Sequence, residues 1–434
     1  MDIFPSSDQR LNPFPFYSQM RKFNPIAYDD KNKLWGFFRY DDIQTILTNY
    51  KNFSSDVQIL VNMQQAQSQK GYQEEQGNKY VRRTLLTSDP PHHSRLRGII
   101  SSAFTSNRIL SLRPRIEEIC NDLLDKIFDQ GSMDLIDDLA YPLPVTVIAE
   151  MLGVAVGDRD TFRRWADELI GSTSDGGNNI PTDRIADQRF KKVQDEMDSY
   201  FIKIIQKRKE QDKSGSNNDL ISGLLRAEID GNKLSEEDIF AFCSLLLLAG
   251  HVTTVNLIGN IMRSLLEHPQ QLKQLILSNK IKDDKNTNLN LPSVQSAIDE
   301  TLRYRSPVQA LFRFAMQDID VGEQTIQQGQ RMILWIGSAN HDESVFTDGE
   351  KFNISRIFNS THLAFGHGVH FCLGSTLANL EAQVVLKLIL DRLKDLRFAD
   401  DYGEKSLEPL HGIFFHGVRH LPLSFNPVTQ KVTQ

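Results

Sequence analysis

The distribution of apolar and polar positions predicts helix for most of the chain. Apolar residues recur at helical spacing from about Arg115 to Phe128, Pro142 to Leu152, Asp158 to Ile170 and Leu377 to Leu390, the period of one buried helix face. Arg184 to Gln211 reads as one long charged amphipathic helix ending in the solvated run Lys207 to Lys213, and Asp238 to Leu266 as a single helix with an apolar middle. Strand patterns are fewer. Leu34 to Tyr40 predicts a short strand, with Asp41 and Asp42 placed to cap a helix that runs to about Asn49. Pro307 ends the helix that carries Ile298 to Tyr304, the alternation of 308–314 predicts strand, and Gly322 and Gly329 mark hairpin turns within Ile319 to Leu334. Ser338 to Asp342 reads as loop. The glutamine-rich stretch from Asn62 to Tyr80 predicts a mobile loop or weak helix, and the glycine-rich 171–183 a flexible connection.

At 434 residues, length alone favours two or three domains. A hydrophobic content of 40% and a charged content of 24% are those of an ordinary globular protein. The net charge of -7 argues against a nucleic-acid partner. Cys120, Cys243 and Cys372 are too few and too widely spaced for a disulfide framework, which fits a reducing cytosol. The amino terminus is polar and broken by prolines, and the longest apolar run, around Leu245 to Ala249, is too short to span a bilayer. The expectation is a cytoplasmic protein with no membrane association.

Chemistry concentrates in Phe365-Gly366-His367-Gly368-Val369-His370-Phe371-Cys372-Leu373-Gly374. A thiol here sits before a helix N-terminus among the N–H groups of a glycine-rich turn, a setting that favours thiolate and lets the backbone approach something flat. The same cysteine also reads as a small buried hydrophobe. Zinc held by His367, His370 and Cys372 is a third reading, without a second ligand pair at structural-site spacing.

Three further stretches stand out. In Ser88 to Arg97, Pro90 and Pro91 suit a helix start, and His93 and Arg97 share one helical face. In Leu245 to Thr254, a glycine and two threonines interrupt a helix. Small residues there leave room for a flat group, or for a close helix crossing, and the Thr253 hydroxyl can bond the carbonyl of Ala249. In Ile298 to Tyr304, Glu300 and Arg303 are spaced for an ion pair.

The set Phe365, Gly368, Cys372, Gly374 (F-x-x-G-x-x-x-C-x-G) resembles the haem-ligating signature of the cytochrome P-450 superfamily, and the other stretches match it too. The resemblance covers nearly the whole chain and replaces the estimate from length. It implies one domain over 1–434, mainly α with a small β-rich subdomain near 25–60 and 305–360, and haem b between the long central helix and the cysteine loop. It makes Cys372 the iron ligand, and His93, Arg97, Arg313 and His370 the contacts of the haem propionates, which such groups suit through charge-assisted bonds. Phe365, Gly368 and Gly374 shape the cysteine loop. Glu300, Arg303 and Arg356 form a buried network behind it. Ala249, Gly250, Thr253 and Thr254 form the oxygen-handling groove. Val308, Leu311 and Phe312, with Ile413 and Phe414 in the turn His411 to Gly417, border the substrate. The segment from Asn62 to Tyr80 corresponds to part of a substrate lid, and the helix-loop-helix from Asp158 to Gln211 to a hinged cover.

The activity implied is insertion of one oxygen atom from dioxygen into a small apolar organic substrate. The chain has no flavin or iron-sulfur cysteine pattern, so electrons are expected from a ferredoxin-type donor and its reductase, docking near the cysteine loop. One position departs from the family pattern: Val252 stands where an acid relays protons, and valine cannot. Four explanations stay open. Protons arrive through a water chain past Thr253 and Thr254; a substrate hydroxyl supplies them; His251 contributes, although it points about 100 degrees away from Val252; or the protein is a peroxide-driven peroxygenase or an isomerase. A haem-based gas or redox sensor is the alternative from another class, and no output segment supports it.

Overall fold

The computed structural model describes residues 2–67, 83–158, 160–162, 164–165, 168, 188–211, 219–229, 231–281, 292–399, 406–410 and 412–427. The glycine-rich connection 171–183, residues 68–80 of the glutamine-rich stretch, about half of the predicted helix 158–170, residues 184–187 of the one after it, and His411 lie outside them.

The chain begins with α1 (Phe14–Phe23), β1 (Ile26–Asp29), β2 (Leu34–Phe37), α2 (Tyr40–Thr48), β3 (Phe53–Ser54) and α3 (Val57–Gln67). Helices then dominate: α4 (His92–Ala103), α5 (Ser106–Leu110), α6 (Arg113–Ile127), α7 (Pro142–Met151), α8 (Gln188–Gln211), α9 (Leu220–Arg226), α10 (Glu236–Glu267), α11 (Pro269–Ile281) and α12 (Val294–Tyr304). Strand β4 (Ser132–Asp134) follows α6, and β5 (Glu228–Ile229) and β6 (Asn232–Lys233) precede α10. After α12 come β7 (Ala310–Ala315), β8 (Ile319–Val321), β9 (Gln324–Ile326), β10 (Arg331–Trp335) and α13 (Ile336–Ala339), then the cysteine loop, α14 (Ser375–Arg392), β11 (Leu393–Phe398) and β12 (Pro422–Pro427).

Residues distant in sequence build the main sheet, in the order β1-β2-β10-β7-β3. β10 lies parallel to β2 and antiparallel to β7, pairing Ile333 with Gly36 on one side and Phe312 on the other. The two stretches 26–54 and 310–335 thus form one β-rich body. Strand also occurs outside them: β11, β12 and β4 form a second sheet, which the sequence reading did not anticipate, since β4 has three residues and β11 continues directly from the helical pattern of α14.

Helix α10 is the axis of the helical part. Ser235 caps it, its hydroxyl accepting from Asp238 N (3.0 Å) while Asp238 Oδ2 accepts from Ser235 N (3.0 Å), a reciprocal pair that satisfies two otherwise orphan donors. Helices α7, α8, α12 and α14 pack around its length. By length and composition α10 could cross a membrane, with a mean hydropathy of 1.8 over its most apolar stretch, although the sequence reading found no such span. That stretch is 67% buried inside the protein, so its apolarity serves core packing.

Three local expectations are corrected. Helix α2 is not capped by Asp41 or Asp42, which lie inside its first turn; Tyr40 N donates instead to Asp342 Oδ2 (2.9 Å), about three hundred positions away in sequence. Pro90 and Pro91 precede α4, which begins at His92, rather than occupying its first helical positions. Ser338 and Ala339 belong to α13, so the loop starts later than the composition predicts.

Candidate active site

The cysteine loop reaches α14 through a series of tight turns. Gly366 and Gly368 have φ of 71° and 70°, the left-handed region that glycine enters without strain. A Cβ at Gly368 would lie 2.7 Å from the carbonyl oxygen of Leu47, so only glycine lets the loop press against the end of α2. Gly366 N donates to Leu363 O (2.8 Å) and Cys372 N to Phe365 O (2.9 Å). The Arg97 guanidinium, reaching from α4, donates to Phe371 O (2.6 Å).

Burial pushes the Cys372 thiol up, opposed by N–H donors of Gly374 and Ser375 and by the charge of Arg97. The loop therefore offers the stabilising groups expected from sequence, but burial outweighs them in the bare protein. A bound cation reverses that balance, because a coordinating thiol is deprotonated outright. The zinc trio is not assembled: among the described residues, the one group of three or more ligating side chains whose atoms converge is Asp134, Asp137 and His420, away from the loop.

Behind the loop, Glu300 and Arg303 of α12 are fully buried and doubly bonded, Arg303 Nε to Glu300 Oε2 (2.9 Å) and Nη2 to Oε1 (2.8 Å). Arg356 Nε donates to Glu300 Oε2 (3.0 Å) and Asn353 N to Oε1 (2.8 Å). The connection to the loop runs through a residue to which sequence gave no role. Arg303 Nη1 donates to Asn340 O (2.8 Å), and Asn340 Oδ1 accepts from Leu363 N (2.7 Å) where the loop begins.

Beside the loop is a basic cradle. Among the described residues, neither ring nitrogen of the buried His93 has a hydrogen-bond partner, and burial, with the charges of His370 and Arg97, lowers its pKa to about 4. Arg313 is buried, donates to the carbonyl of Phe312 (2.6 Å), and is lowered by burial to about 10. The rings of His93 and His370 lie 4.3 Å apart. His370 Nε2 faces the Ser55 hydroxyl (3.0 Å) and Asp89 Oδ1 (3.4 Å). Asp89 also accepts from the hydroxyls of Ser54 and Ser55. Burial raises the Asp89 carboxyl, but these bonds outweigh it and hold the group at about 2. Asp89 lay within a stretch singled out from sequence, yet nothing there signalled its partners.

On α10, Thr253 Oγ1 donates to Ala249 O (2.5 Å) and Thr254 Oγ1 to Gly250 O (3.1 Å). Ala249 is exposed and Thr253 half-buried, whereas Val252 and Thr254 are buried. Gly250 points elsewhere: a Cβ there would meet Ile148 Cδ1 of α7 at 2.8 Å, so this glycine serves a close helix crossing. His251 is also turned from the groove, with Nε2 3.2 Å from Tyr141 O. Val308, Leu311 and Phe312 are half-buried. Ile413 and Phe414 are buried in an apolar cluster with Ile3, Phe4, Phe14 and Tyr17; Gln309 N donates to Phe414 O (2.8 Å), which ties their turn to the residue before β7, and the Phe414 ring meets that of Phe312 edge-on at 5.1 Å.

The Cytochrome P450 family model matches residues 37–408. The chain belongs to the cytochrome P450 family. Cytochrome P450 109 of Bacillus spizizenii is 37% identical over 426 residues, covering 98% of this chain and 94% of that relative. Cytochrome P450 monooxygenase PikC of Streptomyces venezuelae is 33% identical, covering 96% and 92%. The crystal structure of CYP109E1 from Bacillus megaterium in complex with testosterone is 32% identical, with a TM-score of 0.77 over 96% of this chain and 99% of that one. The chain is therefore an oxygen-incorporating oxidoreductase, and the family's cofactor is haem. The residues present fit that group. A thiol under two N–H donors suits a metal cation, and the partnerless His93 with the buried Arg313 suits the carboxylates of a porphyrin edge.

Proposed function

We propose that this cytochrome P450 inserts one oxygen atom from dioxygen into a small apolar organic substrate, with electrons from a ferredoxin-type donor and its reductase. The observation that carries the reading is the gathering of Arg97, His93 and Arg313 beside the loop that holds Cys372. When bound, haem supplies the activation of dioxygen, which an anionic sulfur ligand favours by donating electron density.

Cys372 holds the iron from the cysteine loop, and the N–H groups of Gly374 and Ser375 tune its sulfur. His93, Arg97 and Arg313 hold the propionates, and His370, fixed by Ser55 and Asp89, orients beside them. The Thr253 hydroxyl, released from Ala249 O, orients dioxygen, and the half-buried Val308, Leu311 and Phe312 exclude water from the substrate side. CYP109E1 has been seen with testosterone; a compact apolar molecule of that kind is the class assigned here. The electron donor docks near the cysteine loop, where Phe371 remains 41% exposed. The enzyme works in the cytoplasm.

The test is the spectrum of the reduced protein under carbon monoxide, followed by turnover with an electron-donor system and, separately, with peroxide. A red-shifted Soret band absent from Cys372→Ser and donor-dependent product formation are expected. Turnover with peroxide alone would overturn the donor-driven reading.

A further inference from the structure

Away from the cysteine loop, three ligating side chains converge where the second sheet meets the helical core. Asp134 ends β4, Asp137 lies in the wide helical turn Ile136–Ala140, and His420 stands two positions before β12. His420 comes 286 positions after Asp134; the antiparallel pairing of β12 with β4, Pro422 against Asp134, brings the two together. His420 Nδ1 lies 2.8 Å from Asp134 Oδ2 and 3.2 Å from Asp137 Oδ2.

An exposed ion pair is the ordinary outcome for such groups, and it stabilises little. Two observations go past it. Nδ1 carries at most one proton, which points along one line. The contact with Asp134 is a hydrogen bond, whereas that with Asp137 is a close ion pair without hydrogen-bond alignment. Two carboxylate oxygens and a ring nitrogen thus crowd one point with a single proton among them, and even a protonated imidazole leaves one negative charge over.

The second observation is that the set has the dimensions and the support of a metal site. Ligands about 2.0–2.2 Å from zinc in tetrahedral geometry are roughly 3.3–3.5 Å apart, a spacing that the half-exposed Asp137 and His420 side chains reach by small rotations. All three ligating atoms already lie within 4.8 Å of one another. Asp134 Oδ1 accepts from Ile136 N (2.9 Å) and Leu421 N (3.0 Å). Those bonds fix the carboxylate and leave Oδ2 to the cluster, as outer bonds do for metal ligands.

We propose that Asp134 Oδ2, Asp137 Oδ2 and His420 Nδ1 form a binding site for one divalent transition-metal ion of the zinc type, with water in the fourth position. The imidazole selects such an ion over magnesium and calcium, which prefer oxygen alone. On binding, any proton on Nδ1 leaves the nitrogen, and the neutral ring turns its lone pair to the metal. The ion pins the entry to β12 onto the turn Ile136–Ala140. That turn packs on α10, where a Cβ at Gly259 would meet Ile136 Cδ1 at 2.9 Å, so the metal clasps the second sheet to the long central helix. The site is independent of the function proposed above.

The experiment titrates zinc into the haem-loaded enzyme and reads binding by calorimetry. One zinc per chain is expected, with a dissociation constant in the low micromolar range or below. Asp137→Asn and His420→Ala break no hydrogen bond to backbone that the structure shows, so both are expected to keep the fold, checked by unchanged haem absorbance. Each weakens zinc by at least the roughly 10- to 100-fold that losing a supporting residue costs. Zinc also raises the unfolding temperature of the wild type and of neither variant. No saturable zinc binding, affinity unchanged in either variant, or equal affinity for magnesium, the mark of an acidic patch only, overturns the proposal.

Discussion

Asp89 and His370, separated by 281 positions, meet with Oδ1 and Nε2 at 3.4 Å, and the Ser55 hydroxyl bonds both. An anionic side chain is thus built into a basic cradle. It offsets part of the positive charge of Arg313, which it faces.

Asp89→Asn tests this arrangement. Removing a negative charge beside the haem edge favours the reduced state, so the reduction potential is expected to rise by roughly tens of millivolts. Spectroelectrochemical titration measures it; a fall in potential would contradict the assignment.

Glu300→Ala leaves two arginines buried without their carboxylate. Stranding buried charge in this way costs roughly 3 to 5 kcal/mol. Because the network reaches the cysteine loop through Asn340, the variant is expected to bind little or no haem, read from the ratio of Soret to protein absorbance. Full haem content would show that the loop does not depend on this network.

Two glycines of the motif stretches respond oppositely to alanine. At Gly250 the added Cβ crowds the terminal methyl of Ile148 (2.8 Å), the free end of a side chain, and makes ordinary contacts otherwise; helix propensity gains about 1 kcal/mol, so Gly250→Ala leaves stability within about 1 kcal/mol. At Gly368 the Cβ meets backbone and φ is positive, a conformation that alone costs roughly 1 to 2 kcal/mol. Gly368→Ala is expected to lose at least that, together with haem affinity. Thermal unfolding of the two variants in parallel decides the point.

Glu381 makes stability depend on pH with a definite sign. Burial on α14 lifts its folded pKa to about 8, well above the ordinary glutamate value of about 4.3. Between these values the folded state keeps a proton that the unfolded chain has released, so stability falls as pH rises, by about 1.4 kcal/mol per unit, and levels off above the folded value. Glu381→Gln removes this slope and is expected to be more stable than wild type at neutral pH. Urea midpoints across that range check it, and parallel curves for the two proteins would refute it.

Local chemistry made part of this site legible in the sequence. Glycines near a cysteine, an E-x-x-R pair and a threonine after small residues each leave a mark within a few positions, and the long helices announce themselves by period. The remainder depends on meetings that no window contains. Asp342 caps α2, Asn340 carries the Glu300 network to the loop, and Asp89 holds His370; each looks in sequence like an ordinary loop polar residue. Gly250 misleads in the other direction, because a motif position does not reveal which neighbour it faces. Glu381 is silent for the same reason: nothing near it in sequence says that it lies on the buried face of α14.

The contact between Gly368 and Leu47 bears on how the protein matures. Every motif stretch lies beyond residue 87, yet the loop carrying Cys372 rests on backbone contributed by the first fifty residues. That floor exists only once β2 has found β10 across nearly three hundred intervening positions. Cofactor capture is therefore a late event that reports on closure of the whole chain, and a fragment holding every recognisable motif but lacking the first fifty residues would have the ligands without the surface that sets them in place.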